Sequence, residues 1–123
     1  MQRTGFEKLE VYRLAEDLAD LAWEVTSGWE PWARWTVGKQ LTESADSIGA
    51  NIAEGTGRGS YADNRRFAKI ARGSLFELKH WLRRAYRRRP ITEDQTSAFR
   101  ELIEILTPKL SAYIRSIGQP STA

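Results

Sequence analysis

Between Ser60 and Arg89 the sequence carries ten Lys and Arg residues against only Asp63 and Glu77, a balance of +8 in a chain whose net charge is +3. Wound as a helix at about 100° per residue, Arg65, Lys69, Arg72, Phe76, Lys79, His80, Arg83 and Arg87 gather on one side, flanked by Arg66 and Arg84. The run RRAYRRRP, which includes Arg88, concentrates the charge at one end. The chemistry on offer is anion recognition. Guanidinium groups bind phosphates by charge and by paired hydrogen bonds, and a stripe roughly 30 Å long, at about 1.5 Å per residue, matches the spacing of several phosphates along a strand. Phe76, in its middle, offers a ring on which a base or ribose stacks. Two other readings fit the same residues: a solvated face that only maintains solubility, or a surface that receives acidic groups from a neighbouring subunit or a partner protein.

Covalent and metal chemistry lack their residues. The chain has no cysteine and a single histidine, His80, so no thiolate, no histidine pair and no metal site is expected, and no cofactor. Glu54 and Glu77 are candidates for a carboxylate pair, but no histidine base or second metal ligand accompanies them, and a structural role is the expectation. The stretch AEGTGRGSYAD, Ala53 to Asp63, has the glycine density of a phosphate loop. It lacks the preceding strand and the Gly-Lys-Ser/Thr ending that such a loop requires. Ser60 with Asp63 instead fits a capping box, as Thr92 with Gln95 does further on, so the stretch reads as a turn between helices. An anion beside Arg58, on the free N–H groups of the new helix, is the lesser alternative.

The elements that position these residues are helical throughout, since no segment alternates with the period of two that a half-buried strand needs. Val11, Leu14, Leu18, Leu21 and Val25 form the seam of the first helix, and Leu41, Ala45, Ile48 and Ile52 that of the second. Phe67, Ala71, Ser74, Leu78, Trp81 and Ala85 form the third, and Phe99, Ile103, Leu106, Leu110, Tyr113 and Ile117 the fourth. Helices over about 6–27, 35–54, 60–88 and 92–117 with short connections make an all-α, up-down-up-down antiparallel four-helix bundle, one domain over residues 1–123. Pro108 should kink or break the last helix near Glu104 to Pro108. Trp29, Trp32 and Trp35, three apart around Pro31, are expected to plug the open end of the bundle.

Ser47, Asn51 and Glu54 stand at i, i+4 and i+7 beside the second seam. Polar groups so placed need partners, either loop backbone or Ser74 and Glu77 of the next helix. Gly49 and Gly73 would let those two helices approach closely.

The runs FEKLEVYRLAEDLA (6–19), SIGANIAEGTGRGS (47–60) and FAKIARGSLFELKHWL (67–82) together resemble the bacterial family of ribosomal-RNA intervening-sequence proteins. The resemblance covers nearly the whole chain and includes Gly55 in its middle motif. It implies a four-helix bundle and no catalytic activity. Distantly similar proteins, the accessory proteins of diversity-generating retroelements, assist a reverse transcriptase and bind nucleic acid. Characterised members of the broader group form pentameric rings, so a pentamer is what the resemblance implies. The tryptophan-rich first connection and the very basic third helix depart from the family pattern.

Self-association also has support in the residues. Tyr12, Ala19 and Trp23, with Ala15 and Ala22, widen the apolar arc of the first helix to about half its circumference, more than one bundle core uses. A neighbouring subunit is expected to cover Tyr12, Ala19 and Trp23. From Gly5 to Glu30 seven acids face Lys8 and Arg13, a balance of −5 opposed to the basic third helix. With a charged N-terminal stretch and no apolar run long enough to span a bilayer, a soluble cytoplasmic protein without membrane contact is expected. The function that follows is a non-enzymatic homo-oligomer binding RNA or DNA through its third helices with low sequence selectivity. The alternative is a scaffold whose basic face binds an acidic partner protein or neighbouring subunit.

Overall fold

The computed structural model describes residues 5–120. A 3-10 turn, Gly5–Lys8, passes through Leu9, which is extended at φ −66°, ψ 131°, into α1 (Glu10–Ser27). The first helix is thus broken at Leu9 rather than continuous from residue 6. After Gly28 the chain reverses, and Glu30 caps the next helix: its carboxylate accepts from the backbone N–H of Trp32 (3.1 Å) and Ala33 (2.8 Å). Pro31 sits at the first helical position, where its missing N–H costs nothing. This helix therefore begins one turn before the expected residue 35. α2 (Pro31–Ala33), a π-helical turn (Arg34–Gly38) and α3 (Lys39–Thr56) follow one another without a break.

Gly57 and Gly59, the latter at φ +88°, make the reversal into α4 (Tyr61–Arg88), which starts where the Ser60 hydroxyl accepts from Asp63 N–H at 3.1 Å. Arg89, in the left-handed region at φ 72°, ends it. α5 (Glu93–Ser116) opens on a full capping box between Thr92 and Gln95. It runs unbroken through Pro108, so of the expected kink or break the break does not occur. Pro108 and Glu104 both lie on the solvent side, where the carbonyl that loses its donor is open to water.

α1 packs on α3 and α5, and α4 packs on the same two, so α1 and α4 occupy one diagonal and α3 and α5 the other. This is the up-down-up-down bundle. Leu18, Leu41, Ile48, Ile52, Leu75, Leu78, Phe99, Leu106 and Leu110 are fully buried at its centre. Two seams lie about 50°, half a residue, around from their expected positions. In α1 the centre is Val11, Ala15, Leu18, Ala22 and Val25, with Leu14 and Leu21 at its edge; in α4 it is Ala68, Ala71, Leu75, Leu78, Leu82 and Ala85, with Phe67 and Trp81 at its edge. Small alanines sit at the centre because they let helix axes close up, while the larger side chains fill the flanks.

The glycines sort differently from expectation. Gly49 faces α1, where an added Cβ would stand 3.5 Å from the Tyr12 ring, and Gly73 faces open space. Gly55 is the one that lets α3 and α4 approach: a Cβ there would meet Asn64 Oδ1 at 2.7 Å, Phe67 Cβ at 3.0 Å and the Asn64 carbonyl at 3.1 Å. Of the three tryptophans expected at the bundle end, only Trp29 is buried, held against Gly38, whose missing side chain leaves room for the indole. Trp32 and Trp35 are exposed, because the early helix start carries them onto its outer side.

Candidate nucleic-acid interface

The basic residues of α4 do not form a single line. The seam of the helix is turned toward Leu75 and Leu82; Arg65, Lys79, Arg83 and Arg87 of the expected stripe lie on the α5 side, while Arg88 beyond it falls on the other flank. Arg65 is drawn into the fold, donating from Nη1 to the carbonyl of Ile117 at 3.0 Å and tying α4 to the end of α5. Arg66 lies over the Phe67 ring at 4.6 Å and reaches Asp63 at 3.5 Å. Arg84 and Arg88, four apart, share the other flank, where Arg88 borders Glu30 and Trp32. Lys69 is exposed and Arg72 half-buried. Phe76 is 55% exposed, with Lys79 Nζ 5.0 Å from its ring centre. His80 sets its ring edge-on to Trp81 at 4.8 Å.

Lys79, Arg83 and Arg87 come together with a residue that the α4 pattern could not supply. They border a groove of about 380 Å³ between α4 and α5, and Arg100 of α5 closes its other side. Leu82 and Ile103 form the floor, and Tyr86, 48% exposed, stands in the wall. No acid lines this groove, and none of its four cations forms an ion pair or side-chain hydrogen bond among the described residues. Arg100 stands three residues before Ile103 and one after Phe99, so its place beside the fourth seam was available from spacing alone. Which neighbouring helix it would face was not.

The glycine-rich turn is a turn. Arg58, the cation that would serve an anion there, lies 3.9 Å from Glu54 and 4.0 Å from Asp63, with its guanidinium over Phe67 at 5.1 Å. Glu54 and Glu77 are both exposed and make no pair with each other. The middle motif is instead a hydrogen-bonded bridge between α3 and α4. Asn51 Nδ2 donates to the Ser47 carbonyl (2.8 Å) and hydroxyl (3.0 Å), and the Ser74 hydroxyl donates to that of Ser47 at 3.0 Å. Glu77 takes no part. Among the described residues no group of three or more His, Asp or Glu side chains is placed to hold a metal ion.

The opposite edge of the bundle, between α1 and α3, has the opposite character. Asp20 of α1 lies close to Asp46 of α3; partial burial raises the Asp46 carboxyl above its ordinary value of 3.8, and the charge of Asp20 adds to the rise. Next to this acidic strip Trp23 and Trp35, 71% and 68% exposed, flank a second groove of about 380 Å³. Its floor is closed by the hydroxyls of Thr26 and Thr42, 3.3 Å apart, and the Arg34 guanidinium lies 5.8 Å from the Trp35 ring centre. Trp23 is therefore uncovered within one chain, whereas Tyr12 packs beside Gly49 and edge-on to Phe6 at 4.9 Å, and Ala19 is half-buried. Spacing brought Tyr12, Ala19 and Trp23 together. The contribution of Trp35 depends on the α1–α3 packing and was missed.

A family model described as 23S rRNA-intervening sequence protein matches residues 7–112 of the chain. Among solved structures, the chain is similar to a protein of unknown function from the S23 ribosomal protein family of Bacteroides thetaiotaomicron. The TM-score is 0.75 and the identity 24%, over 85% of this chain and 98% of that one, which shows a shared fold. No curated protein matches the sequence. No helix among the described residues is long and apolar enough to cross a membrane.

Proposed function

The chain belongs to the 23S rRNA-intervening sequence protein family, and from that premise we propose that it is a non-enzymatic, homo-oligomeric, cytoplasmic protein that binds RNA or DNA phosphates with low sequence selectivity. The observation that carries this reading is the α4/α5 groove, where Lys79, Arg83, Arg87 and Arg100 stand together with no acid among them. Four unpaired cations on one face repel one another, and an incoming polyanion relieves that repulsion while releasing its own counterions. Contacts to phosphate carry no base information, so selectivity is low.

The α1/α3 edge supports self-association. Its two exposed indoles are the kind of anchor that dominates protein interfaces, and they lie on the side of the bundle away from the groove. Copies joined there keep their basic faces free, and repetition around a ring, five-membered by the family resemblance, adds avidity. The alternative, a scaffold whose basic face receives an acidic partner protein, uses the same cations.

The test is an anisotropy titration of a labelled structured RNA and a single strand across a salt series, with an Arg83→Ala/Arg87→Ala/Arg100→Ala variant alongside. Binding should weaken steeply with salt, and the variant should lower the slope of log K against log salt by about 2–3, since each phosphate contact contributes about 0.7–0.9. No binding at low salt, or an isotherm indifferent to the three substitutions, would assign the groove to a protein partner. Sedimentation velocity of Trp23→Ala/Trp35→Ala should show a smaller particle than the wild type; an unchanged one would move the interface elsewhere.

A further inference from the structure

Resting on the nucleic-acid reading, we propose that the α4/α5 groove takes one unpaired nucleotide of a single strand, its base laid against Tyr86 over the Leu82 and Ile103 floor and its flanking phosphates held by the surrounding cations. A surface that met only phosphates would need charge and no pocket. This groove is concave, about 380 Å³ in volume, within the range of small-ligand sites, and its floor is apolar while its rim is cationic. That pairing matches the two halves of a nucleotide: a flat ring that stacks on an aromatic side chain, and a charged backbone on either side. In a duplex the base faces are stacked on one another, and only backbone and base edges reach the protein surface. Such a ligand leaves Tyr86, Leu82 and Ile103 unused, so the groove favours strands whose bases are already free.

Tyr86 is suited to the part. It is about half exposed, so stacking on it needs no opening of the core. It also follows Arg83 and precedes Arg87 on the same helical turn, which puts ring and cations within reach of adjacent atoms of one nucleotide. Lys79 and Arg100 close the groove from the other end and from α5, where the next phosphate would lie.

The experiment uses the full chain and a 12-residue oligonucleotide carrying one 2-aminopurine, as RNA and as DNA, each single-stranded and in a duplex, at one fixed salt concentration. Base and phosphate are common to RNA and DNA, and the more tightly held strand identifies the source. The single strand should bind more tightly than the duplex, and the 2-aminopurine emission should fall on binding. Tyr86→Ala should weaken the single strand about 5- to 100-fold and abolish the fluorescence change while leaving duplex affinity alone. Tyr86→Phe, which keeps the ring, should behave as wild type, as should Tyr61→Ala, an exposed tyrosine at the far end of α4. Equal affinity for single strand and duplex, with Tyr86→Ala indistinguishable from wild type, would overturn the pocket while the salt-dependent binding of phosphates stands. A wild-type protein that binds none of the four ligands at low salt would overturn both.

Discussion

Gly55 and Gly73 lie on α3 and α4, and replacing each by alanine should move stability in opposite directions. At Gly73 an added Cβ meets nothing within 4 Å. The substitution removes backbone entropy from the unfolded chain and improves helix propensity, a gain of about 0.5–1 kcal/mol. At Gly55 the same methyl would stand 2.7 Å from Asn64 Oδ1, 3.0 Å from Phe67 Cβ and 3.1 Å from the Asn64 carbonyl. The first of these can swing aside, but the other two belong to the α4 backbone or its first side-chain atom, and yielding means separating the helices. Overpacking of this kind costs about 1–3 kcal/mol, which the propensity gain near the end of α3 offsets only in part. A net loss of about 1–2 kcal/mol is expected, so the two variants should differ by about 1.5–3 kcal/mol, or roughly 5–15 °C in Tm for a chain of this size. Urea unfolding followed by circular dichroism, at one protein concentration because assembly shifts apparent stability, reads both midpoints. A Gly55→Ala protein as stable as wild type, or one that rises with Gly73→Ala, would refute the claim that Gly55 sets the α3–α4 distance.

Two further outcomes follow from the polar contacts. The raised Asp46 carboxyl binds its proton more tightly in the folded chain than in the unfolded one, so its contribution turns unfavourable as pH climbs above the ordinary value of 3.8. Asp46→Asn should therefore have a higher Tm than wild type at pH 7, with the gap closing below about pH 4 and narrowing in high salt; a gap that persists in acid would implicate something other than charge. In the Ser47–Ser74 bridge, removing either hydroxyl should cost about 1 kcal/mol. The Ser47→Ala/Ser74→Ala double variant should cost less than the sum of the singles by about 0.5–1 kcal/mol, and strict additivity in denaturant titrations would mean that the 3.0 Å contact contributes nothing.

Helical periodicity made the bundle readable because leucines and isoleucines recur at threes and fours along all four segments. Its rotation was less readable. Ala15, Ala22 and Ala68 are weak signals beside Leu14, Leu21 and Phe67, yet these alanines hold the centre, since close packing of helix axes rewards small side chains. A turn of about half a residue kept Arg65, Lys79, Arg83 and Arg87 of the basic stripe on the α5 side and left Arg88 on the other flank. Pro31 begins the second helix, a position that becomes apparent only once Glu30 is seen to cap it. Contacts between helices were the least accessible. A wheel arranges the residues of one helix, and nothing in it brings Arg100 to Arg83, Trp35 to Trp23, or Gly49 to Tyr12 rather than to α4.

The π-helical turn at Arg34–Gly38 has a consequence for how this protein changes over generations. An i→i+5 turn holds one residue more than the α-helical turn it replaces, so it behaves as a vernier between two lengths of the same rod. Deleting one residue inside it would return the rod to α-helix and swing Trp32 and its neighbours about 100° around the axis, while Leu41, Ile48 and Ile52 kept their register in the core. Trp29 and Val37 are buried beside this turn, so a single-codon loss there re-aims the aromatic end of the helix at the expense of repacking only that end of the bundle, while the centre keeps its register.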